Sequence, residues 1–466
     1  MFGKNTTIVC TPIIVSIVSK IAENYRRLCL HQILLIWRTR TEIHVNIALG
    51  AQTMQKHTVV VVGGGSAGLA VAGKLKRRRP GLDVAVIEPA EVHYYQPAWT
   101  LVGAGVYRAE ATRKREADVM PKGVTWIKSR AAGFEPQSNR VVLEDGTRVE
   151  YAFLVVAAGI QLNWSAIEGL KETLGRNGVT SNYDYSLAPY TWECIRNFRD
   201  GRALFTQPSM PIKCPGAPQK ILYLAADHFR RRRINAELHF FNPGATMFGV
   251  PFFAKALDKV IESWDGKRNF GHSLVAVDGP RKQAVFEVTD GNEKRRVTQE
   301  FEMLHVVPPQ SAPEFIRNSP LTDQSGWVTV DKHTLRHVEY ENVFALGDCA
   351  NTPNSKTAAA VKNQAPVVVA NLLHTLEHKG NERTYDGYAS CPLTTSLGKV
   401  MLAEFCYDGV VTPSFVVDPR VPRKAFWWLK KSFLPQLYWQ FIVPGRDWPI
   451  VHKKHDYAER VPAFTP

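Results

Sequence analysis

The sequence predicts an α/β protein with two Rossmann-like domains and a C-terminal amphipathic helical segment that binds a membrane surface. Two strand–turn–helix patterns, one after His57 and one after Ala203, carry the prediction of the domains, and a run of aromatic and basic residues after residue 413 carries that of the segment. With 466 residues, of which 45% are hydrophobic and 22% charged, the chain is too apolar for intrinsic disorder and long enough for two or three domains.

Cysteine content and charge exclude several classes of protein. The 7 cysteines are scattered without a CxxC pair, so neither a disulfide scaffold nor a metal site is expected. The net charge of +15 is concentrated at the ends, with 7 Lys/Arg against 2 Asp/Glu in residues 1–57 and 9 against 4 in residues 413–466. Because a nucleic-acid-binding face belongs to the folded body, we expect no nucleic-acid partner.

The first 57 residues are predicted to be a targeting segment. They contain two apolar runs, 8–18 and 33–37, and both are shorter than the roughly 18 residues of a membrane-spanning helix. Basic residues with few acids favour an organelle transit sequence over a secretory signal or a signal anchor. Translation from Met54 is the alternative.

The segment after His57 predicts a dinucleotide-binding turn. An apolar strand runs into Gly63-x-Gly65-x-x-Gly68 and a helix over 69–79, and a second strand over 84–88 ends in Glu88, 20 residues after Gly68. The glycines allow the backbone to approach a pyrophosphate at the helix N-terminus, and the acid accepts hydrogen bonds from ribose hydroxyls.

Two later segments indicate which dinucleotide binds. An apolar strand over 151–159 ends in Ala-Ala-Gly, and another over 342–348 ends in Gly347-Asp348. Together with the first turn they resemble the FAD domain of the two-dinucleotide-binding flavoprotein reductases, which implies that Asp348 binds the ribityl chain of FAD. The helix that follows over 356–364 would face the flavin with its positive end. Pro366 predicts a kink or a break in that helix.

The second strand–turn–helix lacks a nicotinamide fingerprint. A strand over 203–208 and a helix over 220–230 flank a turn in which three prolines surround Cys214, and a further strand is predicted over 237–241. A cysteine at a helix N-terminus has a lowered thiol pKa, so we expect Cys214 to be a redox thiol in place of the electron-donor site.

Motifs from about residue 58 to the C-terminus resemble mitochondrial-type sulfide:quinone oxidoreductases. They are His93–Pro97, Trp99–Gly105, Lys213–Lys220, Gly347–Asn351, Ser355–Ala360 and Tyr385–Leu393. The resemblance implies redox roles for Cys214 and Cys391, whereas Cys194 and Cys349 are expected to be packing residues. It implies FAD contacts at Gly63, Gly65, Ser66, Ala67, Gly68, Glu88, Gln96, Ala131, Asp348, Lys356, Thr357 and Ala358.

The resemblance also implies the reaction and its place. Hydrogen sulfide is expected to attack at Cys391, a thiolate or persulfide anion on Cys214 to reduce FAD, and ubiquinone to reoxidise the flavin. Glutathione, sulfite or cyanide takes the sulfane sulfur, and the protein lies peripherally on the mitochondrial inner membrane. The expected domains are 1–57 (targeting), 58–175 (FAD, first part), 176–310 (second Rossmann-like domain, with Cys214), 311–376 (FAD, return), 377–412 (interface, with Cys391) and 413–466 (membrane and quinone).

Residues 413–466 contain four of the 11 tryptophans and predict two short amphipathic helices, 423–434 and 436–443, broken at Pro435. Aromatic residues interleaved with Lys430 and Lys431 suit a helix lying in the headgroup region of an anionic membrane. The residues expected to line an apolar path for quinone are Phe426, Trp427, Trp439 and Phe441.

Two other functions fit parts of the pattern. A type II NADH:quinone oxidoreductase is also a flavoprotein on a membrane surface, but it needs the second glycine fingerprint. A non-enzymatic flavoprotein that binds DNA, in the manner of apoptosis-inducing factors, needs a basic surface on the folded body.

Overall fold

The structure, a computed structural model, describes residues 55–291 and 293–447 together with Glu23. The described fold belongs to a compact unit that begins at Lys56, and β1 begins one residue earlier. The predicted targeting segment lies outside the described residues except for Glu23 and residues 55–57.

The described residues form 21 strands. They are β1 Gln55–Val62, β2 Val84–Ile87, β3 Val92–Tyr94, β4 Arg113–Arg115, β5 Thr125–Ile127, β6 Ala131–Glu135, β7 Arg140–Leu143, β8 Arg148–Val156, β9 Gln161–Leu162, β10 Val179–Thr180, β11 Asp200–Thr206, β12 Asn235–Asn242, β13 Lys267–Phe270, β14 His272–Asp278, β15 Gln283–Asp290, β16 Glu293–Glu300, β17 Met303–His305, β18 Gln310–Ser311, β19 Val343–Ala345, β20 Ala389–Ser396 and β21 Lys399–Phe405.

The helices lie between these strands and after them. They are α1 Ser66–Arg78, α2 Trp99–Val102, α3 Glu116–Val119, α4 Leu170–Thr173, α5 Ala188–Asn197, α6 Ala217–Arg232, α7 Pro251–Ser263, α8 Glu314–Arg317, α9 Ala358–Glu377, α10 Lys424–Trp428 and α11 Leu434–Leu437. Two π-helical turns, Leu429–Phe433 and Tyr438–Ile442, follow α10 and α11 respectively.

A seven-stranded sheet forms the first core, in the order β5-β2-β1-β8-β7-β6 with β19 also paired to β8. Strands β1, β2 and β5 run parallel, and β19 is parallel to the end of β8. The apolar ends of β1 and β8 are fully buried, as expected for parallel strands covered on both faces. The β1–α1–β2 unit therefore confirms the predicted strand–turn–helix–strand.

A second, five-stranded parallel sheet has the order β10-β17-β11-β12-β13. The unit β11–α6–β12 confirms the second predicted strand–turn–helix. An antiparallel hairpin, β20–β21, packs against α6 and carries Cys391 opposite Ala403. The hairpin and α6 thus bring two distant parts of the chain together.

A kink or a break was predicted at Pro366, and the break is wrong, because α9 continues through this residue to Glu377. The residues on both sides of the proline are buried, including Val361, Ala365 and Val368. Burial of a side chain of this kind contributes about 1.5–3 kcal/mol, so several together exceed the roughly 3 kcal/mol that a helix loses at proline.

The predicted break at Pro435 is also wrong. Residues 424–442 form one helical run in which α-helical and π-helical turns alternate, and the residues at each junction keep right-handed helical angles. Pro435 stands in the first turn of α11, where a backbone N–H has no partner in its own helix.

Gly68 provides a test of the packing at the first turn of α1. A Cβ atom at this position would lie 1.8 Å from the carbonyl oxygen of Gly63, so Gly68→Ala must displace backbone. We expect a loss of about 1–3 kcal/mol of stability, larger than the gain of about 1 kcal/mol in helix propensity, and a lower melting temperature in thermal unfolding.

Gly81→Ala is the matched control, because a Cβ atom at Gly81 meets nothing within 4 Å. An unchanged melting temperature for Gly68→Ala would contradict the close approach of α1 to the turn.

Candidate functional site

A single continuous cavity of about 710 Å³ connects the first glycine turn, the Cys214 turn, the β20–β21 hairpin and the C-terminal helical run. Most of the predicted cofactor-binding residues line it. They are Gly63, Gly65, Ser66, Ala67, Glu88, Gln96, Asp348, Lys356, Thr357 and Ala358.

The glycine turn forms one end of the cavity. Gly63 has φ +105°, and a Cβ atom there would lie 2.5 Å from the carbonyl oxygen of Ala157. Gly65 faces open space. The carboxylate of Glu88 accepts hydrogen bonds from the backbone N–H groups of Gly64 (2.7 Å) and Ala90 (2.8 Å), which fix it at the end of β2. The turn is therefore a backbone cradle beside a fixed acid.

The other wall of the cradle is the start of α9. Thr357 caps this helix by accepting a hydrogen bond from the N–H of Ala360 (3.2 Å). Lys356 donates to the carbonyl oxygen of Ala350 (2.8 Å) and lies 4.2 Å from the ring centre of Trp327. Burial lowers the pKa of Lys356 to about 8 and raises the pKa of Asp348, and the opposite charges of the two residues counteract both shifts.

Cys214 lies in the middle of the cavity, in the turn that precedes α6. Its backbone has φ +47°, its N–H donates to the carbonyl oxygen of Lys356 (2.9 Å), and its own carbonyl oxygen accepts from the N–H of Ala217 (2.8 Å). The hydroxyl of Tyr183 donates to the same carbonyl oxygen (3.2 Å). The turn thus aims the thiol into the cavity.

The side chains of Cys214 and Cys391 are neighbours in the structure, although they are 177 positions apart in the chain, and each thiol shifts the pKa of the other. The Nζ atom of Lys220, one helical turn into α6, lies 3.0 Å from the Sγ atom of Cys214. The Cys391 thiol and the Lys220 ammonium hold the pKa of Cys214 well below its usual value, against the effect of burial. The neighbouring Cys214 thiol and complete burial raise the pKa of Cys391. Cys214 is therefore the thiolate of the pair.

Lys430 is a site residue that the sequence reasoning placed in the wrong environment. It was expected to face lipid headgroups, but it is buried, lines the cavity and donates to the carbonyl oxygen of Pro392 (3.0 Å). Burial and the nearby charge of Lys220 lower its pKa well below the usual value. Lys431, in contrast, is exposed as expected.

The far end of the cavity opens between apolar side chains. Phe415, Trp428 and Phe433 are 43%, 61% and 37% exposed and line the opening, with Leu429 and Leu434 beside them. These residues form the apolar mouth.

The aromatic residues that were expected to line the apolar path for quinone do not line the cavity. Phe426 is buried against β21, Trp427 packs beside it, and Trp439 contacts His93 and Tyr95. Within the described part of the chain, the cavity wall does not include these residues or Phe441.

Two predicted FAD contacts lie away from the cavity wall. Gly68 packs against the backbone of Gly63, and Ala131 is buried in the first core at the start of β6. Cys349 is fully buried in the same core and Cys194 is half-buried against the second, as expected for packing residues. Sequence reasoning missed Lys220 as a partner of Cys214, although its position one turn after the cysteine was a usable signal.

Comparison with known proteins identifies the family. Residues 57–190 match the model of the pyridine nucleotide-disulphide oxidoreductases. The chain is 45% identical over 394 residues to the mitochondrial sulfide:quinone oxidoreductase of Dictyostelium discoideum, which covers 83% of this chain and 86% of the relative. The corresponding mouse protein is 40% identical over 391 residues, with 84% and 87% covered. This chain belongs to the sulfide:quinone oxidoreductase family.

A solved structure from the same family has the same fold. The sulfide:quinone oxidoreductase of Aquifex aeolicus superimposes with a TM-score of 0.71 at 19% identity, over 84% of this chain and 92% of that one. Sulfide:quinone oxidoreductases of this fold are FAD flavoproteins, and FAD is the cofactor of this chain. The residues fit it: the open face of Gly65, the fixed carboxylate of Glu88 and the buried Asp348 stand along one cavity.

Two further findings concern the described residues of this member of the sulfide:quinone oxidoreductase family. None of its described helices has both the length and the apolar character needed to cross a membrane. Among the same residues, no cluster of three or more His, Cys, Asp or Glu side chains is placed to hold a metal ion.

Lys220→Met tests the electrostatics of the cysteine pair. Removing the ammonium group raises the pKa of the Cys214 thiol, so the thiolate fraction falls at neutral pH and returns only at higher pH. We expect alkylation of Cys214 in the reduced protein to slow several-fold at pH 7, measured by peptide mass spectrometry, with the wild-type rate recovered in alkaline buffer.

Lys362→Met is the control, because Lys362 also lines the cavity but faces Glu404 rather than the thiols. Equal rates for Lys220→Met and wild type at every pH would exclude Lys220 as the counter-charge of the thiolate.

Proposed function

We propose that this protein oxidises hydrogen sulfide, passes the electrons through FAD to ubiquinone, and transfers the sulfane sulfur to a small acceptor. The observation that carries the proposal is the Cys214–Cys391 pair beside Lys220, in one cavity that has the dinucleotide cradle at one end and the apolar mouth at the other. The names of the relatives support the same reaction.

The sulfur chemistry follows from the two thiols. In the oxidised pair, a sulfur–sulfur bond joins Cys391 to Cys214 directly or through one bridging sulfur. Hydrosulfide attacks the sulfur on Cys391, the bond breaks, and Cys391 becomes a persulfide. Cys214 leaves with the electron pair, as a thiolate from the direct bond or as a persulfide anion from the bridged one. The ammonium of Lys220, 3.0 Å from the Sγ atom of Cys214, stabilises that thiolate.

Turnover requires an electron acceptor and a sulfur acceptor. FAD, when bound, takes the electron pair from sulfur and delivers it to quinone. Glutathione, sulfite or cyanide attacks the outer sulfur of the Cys391 persulfide and takes it away, which leaves Cys391 as a thiolate. That thiolate re-forms the bond to the sulfur on Cys214, and the two electrons that this oxidation releases are the pair that FAD would accept. Ubiquinone gains two electrons and two protons and leaves as the quinol.

The assignment of residues is part of the proposal. Cys214 and Cys391 are the catalytic pair, and the cavity-lining residues Gly63, Gly65, Ser66, Ala67, Glu88, Gln96, Asp348, Lys356, Thr357 and Ala358 hold FAD. We propose the same domain bounds as before: residues 58–175 and 311–376 bind FAD, 176–310 carry Cys214, 377–412 carry Cys391, and 413–466 contact the membrane and quinone.

The apolar mouth is proposed as the entrance for quinone from a membrane. Trp428 and Phe433 stack with ring centres 6.1 Å apart, and Val416 and Val417, in the preceding loop, are also exposed. A contiguous apolar surface around a cavity is suited to contact with lipid, and exposed Lys431 suits anionic headgroups. We assign the protein to the surface of the mitochondrial inner membrane, in line with its mitochondrial relatives.

NADH oxidation is the alternative reaction that the fold permits. The turn between β11 and α6 holds Cys214 and prolines rather than a glycine fingerprint, which favours sulfide as donor. Stopped-flow bleaching of the flavin distinguishes them: sulfide is expected to bleach it rapidly under anaerobic conditions, and bleaching by NADH alone would overturn the proposal.

The cysteine pair is tested by Cys214→Ser and Cys391→Ser. Each variant is expected to retain FAD and to lose sulfide-dependent reduction of ubiquinone by more than roughly a thousandfold, because a serine hydroxyl cannot form the sulfur–sulfur bond. The assay is quinone reduction with sulfite as acceptor. Cys194→Ser is the control, and near-normal turnover of either of the first two variants would remove that cysteine from the mechanism.

The mouth is tested by the double variant Trp428→Ser/Phe433→Ser. We expect weaker sedimentation with anionic liposomes and a higher KM for long-chain ubiquinone, with flavin bleaching by sulfide unchanged, because the substitutions remove apolar area outside the cysteine pair. Val338→Ser is the matched control, since Val338 is 60% exposed and lies away from the cavity wall. Normal liposome binding by the double variant would mean that the membrane contact lies elsewhere.

A further inference from the structure

A chain of buried polar side chains connects the C-terminal helical run to the glycine turn. The carboxylate of Glu116 lies 3.3 Å from Nδ1 of His93, whose Nε2 lies 2.6 Å from the hydroxyl of Tyr438. That hydroxyl lies 2.6 Å from Oγ of Ser66, the first residue of α1. Glu116, His93 and Tyr438 are between 1% and 4% exposed, so water does not compete for these contacts.

The order of the groups gives the chain a preferred direction. The Tyr438 hydroxyl has one proton and two partners, so it donates to one and accepts from the other. The Glu116 carboxylate holds the imidazole proton on Nδ1, so Nε2 of His93 accepts a hydrogen bond from the Tyr438 hydroxyl. The oxygen of that hydroxyl in turn accepts a hydrogen bond from the Ser66 hydroxyl. Ser66 and Tyr438 both line the cavity, so the contact between them forms part of the cavity wall beside the glycine turn.

The same C-terminal segment also contacts the far end of α1. Lys74 donates to the carboxylate of Asp447 (2.5 Å), and Arg77 donates to the carbonyl oxygen of Pro444 (3.0 Å). At Gly73 the approach is so close that a Cβ atom would lie 2.6 Å from that carbonyl oxygen. The segment therefore lies along α1 from its first residue to its last turn.

We propose that Tyr438 is a positioning residue that couples FAD binding to docking of the C-terminal segment on α1. Docking completes the cavity wall where Tyr438 meets Ser66, and FAD bound against that wall stabilises the contact that retains Tyr438. Because coupling between two binding events is reciprocal, loss of docking contacts weakens FAD binding, and loss of FAD loosens the segment that carries the apolar mouth.

The first test is hydrogen exchange on wild-type protein with and without FAD. Amides of residues 434–447 are expected to exchange faster after FAD is removed, while amides of β15, outside the cavity, are the internal reference. Equal exchange of residues 434–447 in both states would overturn the coupling.

The second test compares the FAD dissociation constants of Tyr438→Phe and Lys74→Met. Tyr438→Phe keeps the ring that packs on Tyr95 and removes only the hydroxyl. Lys74→Met removes the ion pair with Asp447 at the other end of α1, far along the helix from the turn. We expect both constants to rise, by about five- to twentyfold for Tyr438→Phe and by at least about threefold for Lys74→Met.

The control is Tyr407→Phe, which removes a hydroxyl that donates to the carbonyl oxygen of Lys332 away from the cavity wall. Its FAD affinity is expected to equal that of wild type. A rise for Tyr438→Phe with no change for Lys74→Met would reduce the effect to a local contact of Ser66 and overturn the coupling, as would wild-type affinity in both. If Tyr438→Phe does not fold, Lys74→Met and the exchange experiment decide the question.

Discussion

The short contact between the Lys220 ammonium and the Cys214 sulfur is the interaction on which the site depends. A buried thiolate without a counter-charge is strongly disfavoured, and a buried lysine without one loses its proton. Together they stabilise each other: burial alone would lower the pKa of Lys220, yet the neighbouring thiols raise it. The contact requires α6 to begin three residues after Cys214, and the hairpin that packs on α6 supplies the second thiol.

The rest of the cavity adds further buried lysine side chains around that ion pair. Lys213 and Lys356 have pKa values lowered to about 8 by burial, and the buried ammonium group of Lys430 interacts with both thiols. Cationic or easily protonated groups therefore surround the place where sulfide is oxidised. They suit the hydrosulfide anion, which makes up part of the sulfide at neutral pH. The charge sits on helices and turns rather than on flexible loops, so it is fixed before substrate arrives.

Most of the fold and half of the site were predictable from sequence, for identifiable reasons. The glycine turn was predictable from local sequence alone, because Gly63, Gly65 and Glu88 all belong to one strand–helix–strand unit. The pairing of Cys214 with Cys391 is a long-range contact, and only the resemblance to a known family indicated it. Pro366 does not break its helix because burial outweighs the local cost of proline there, and Pro435 does not because it stands in the first turn of α11.

Lys430 shows a different limit. Helical periodicity places residues four positions apart on one face, and Lys430 stands four positions after buried Phe426. The charge of the side chain, rather than its position, favoured an outward orientation. The carbonyl oxygen of Pro392 and the two thiols accommodate that charge inside the cavity, and these long-range contacts leave no local pattern in the sequence.

The apolar mouth has a consequence for handling the protein. Phe415, Val416, Trp428 and Phe433 expose a surface that water solvates poorly, and in the absence of lipid a second copy of the chain offers the nearest apolar cover. The size of the particle in solution will then follow the detergent rather than the protein. A monomer in one detergent and a larger species in another would both be explained by this surface, covered by detergent in the first case and by a second copy of the chain in the other.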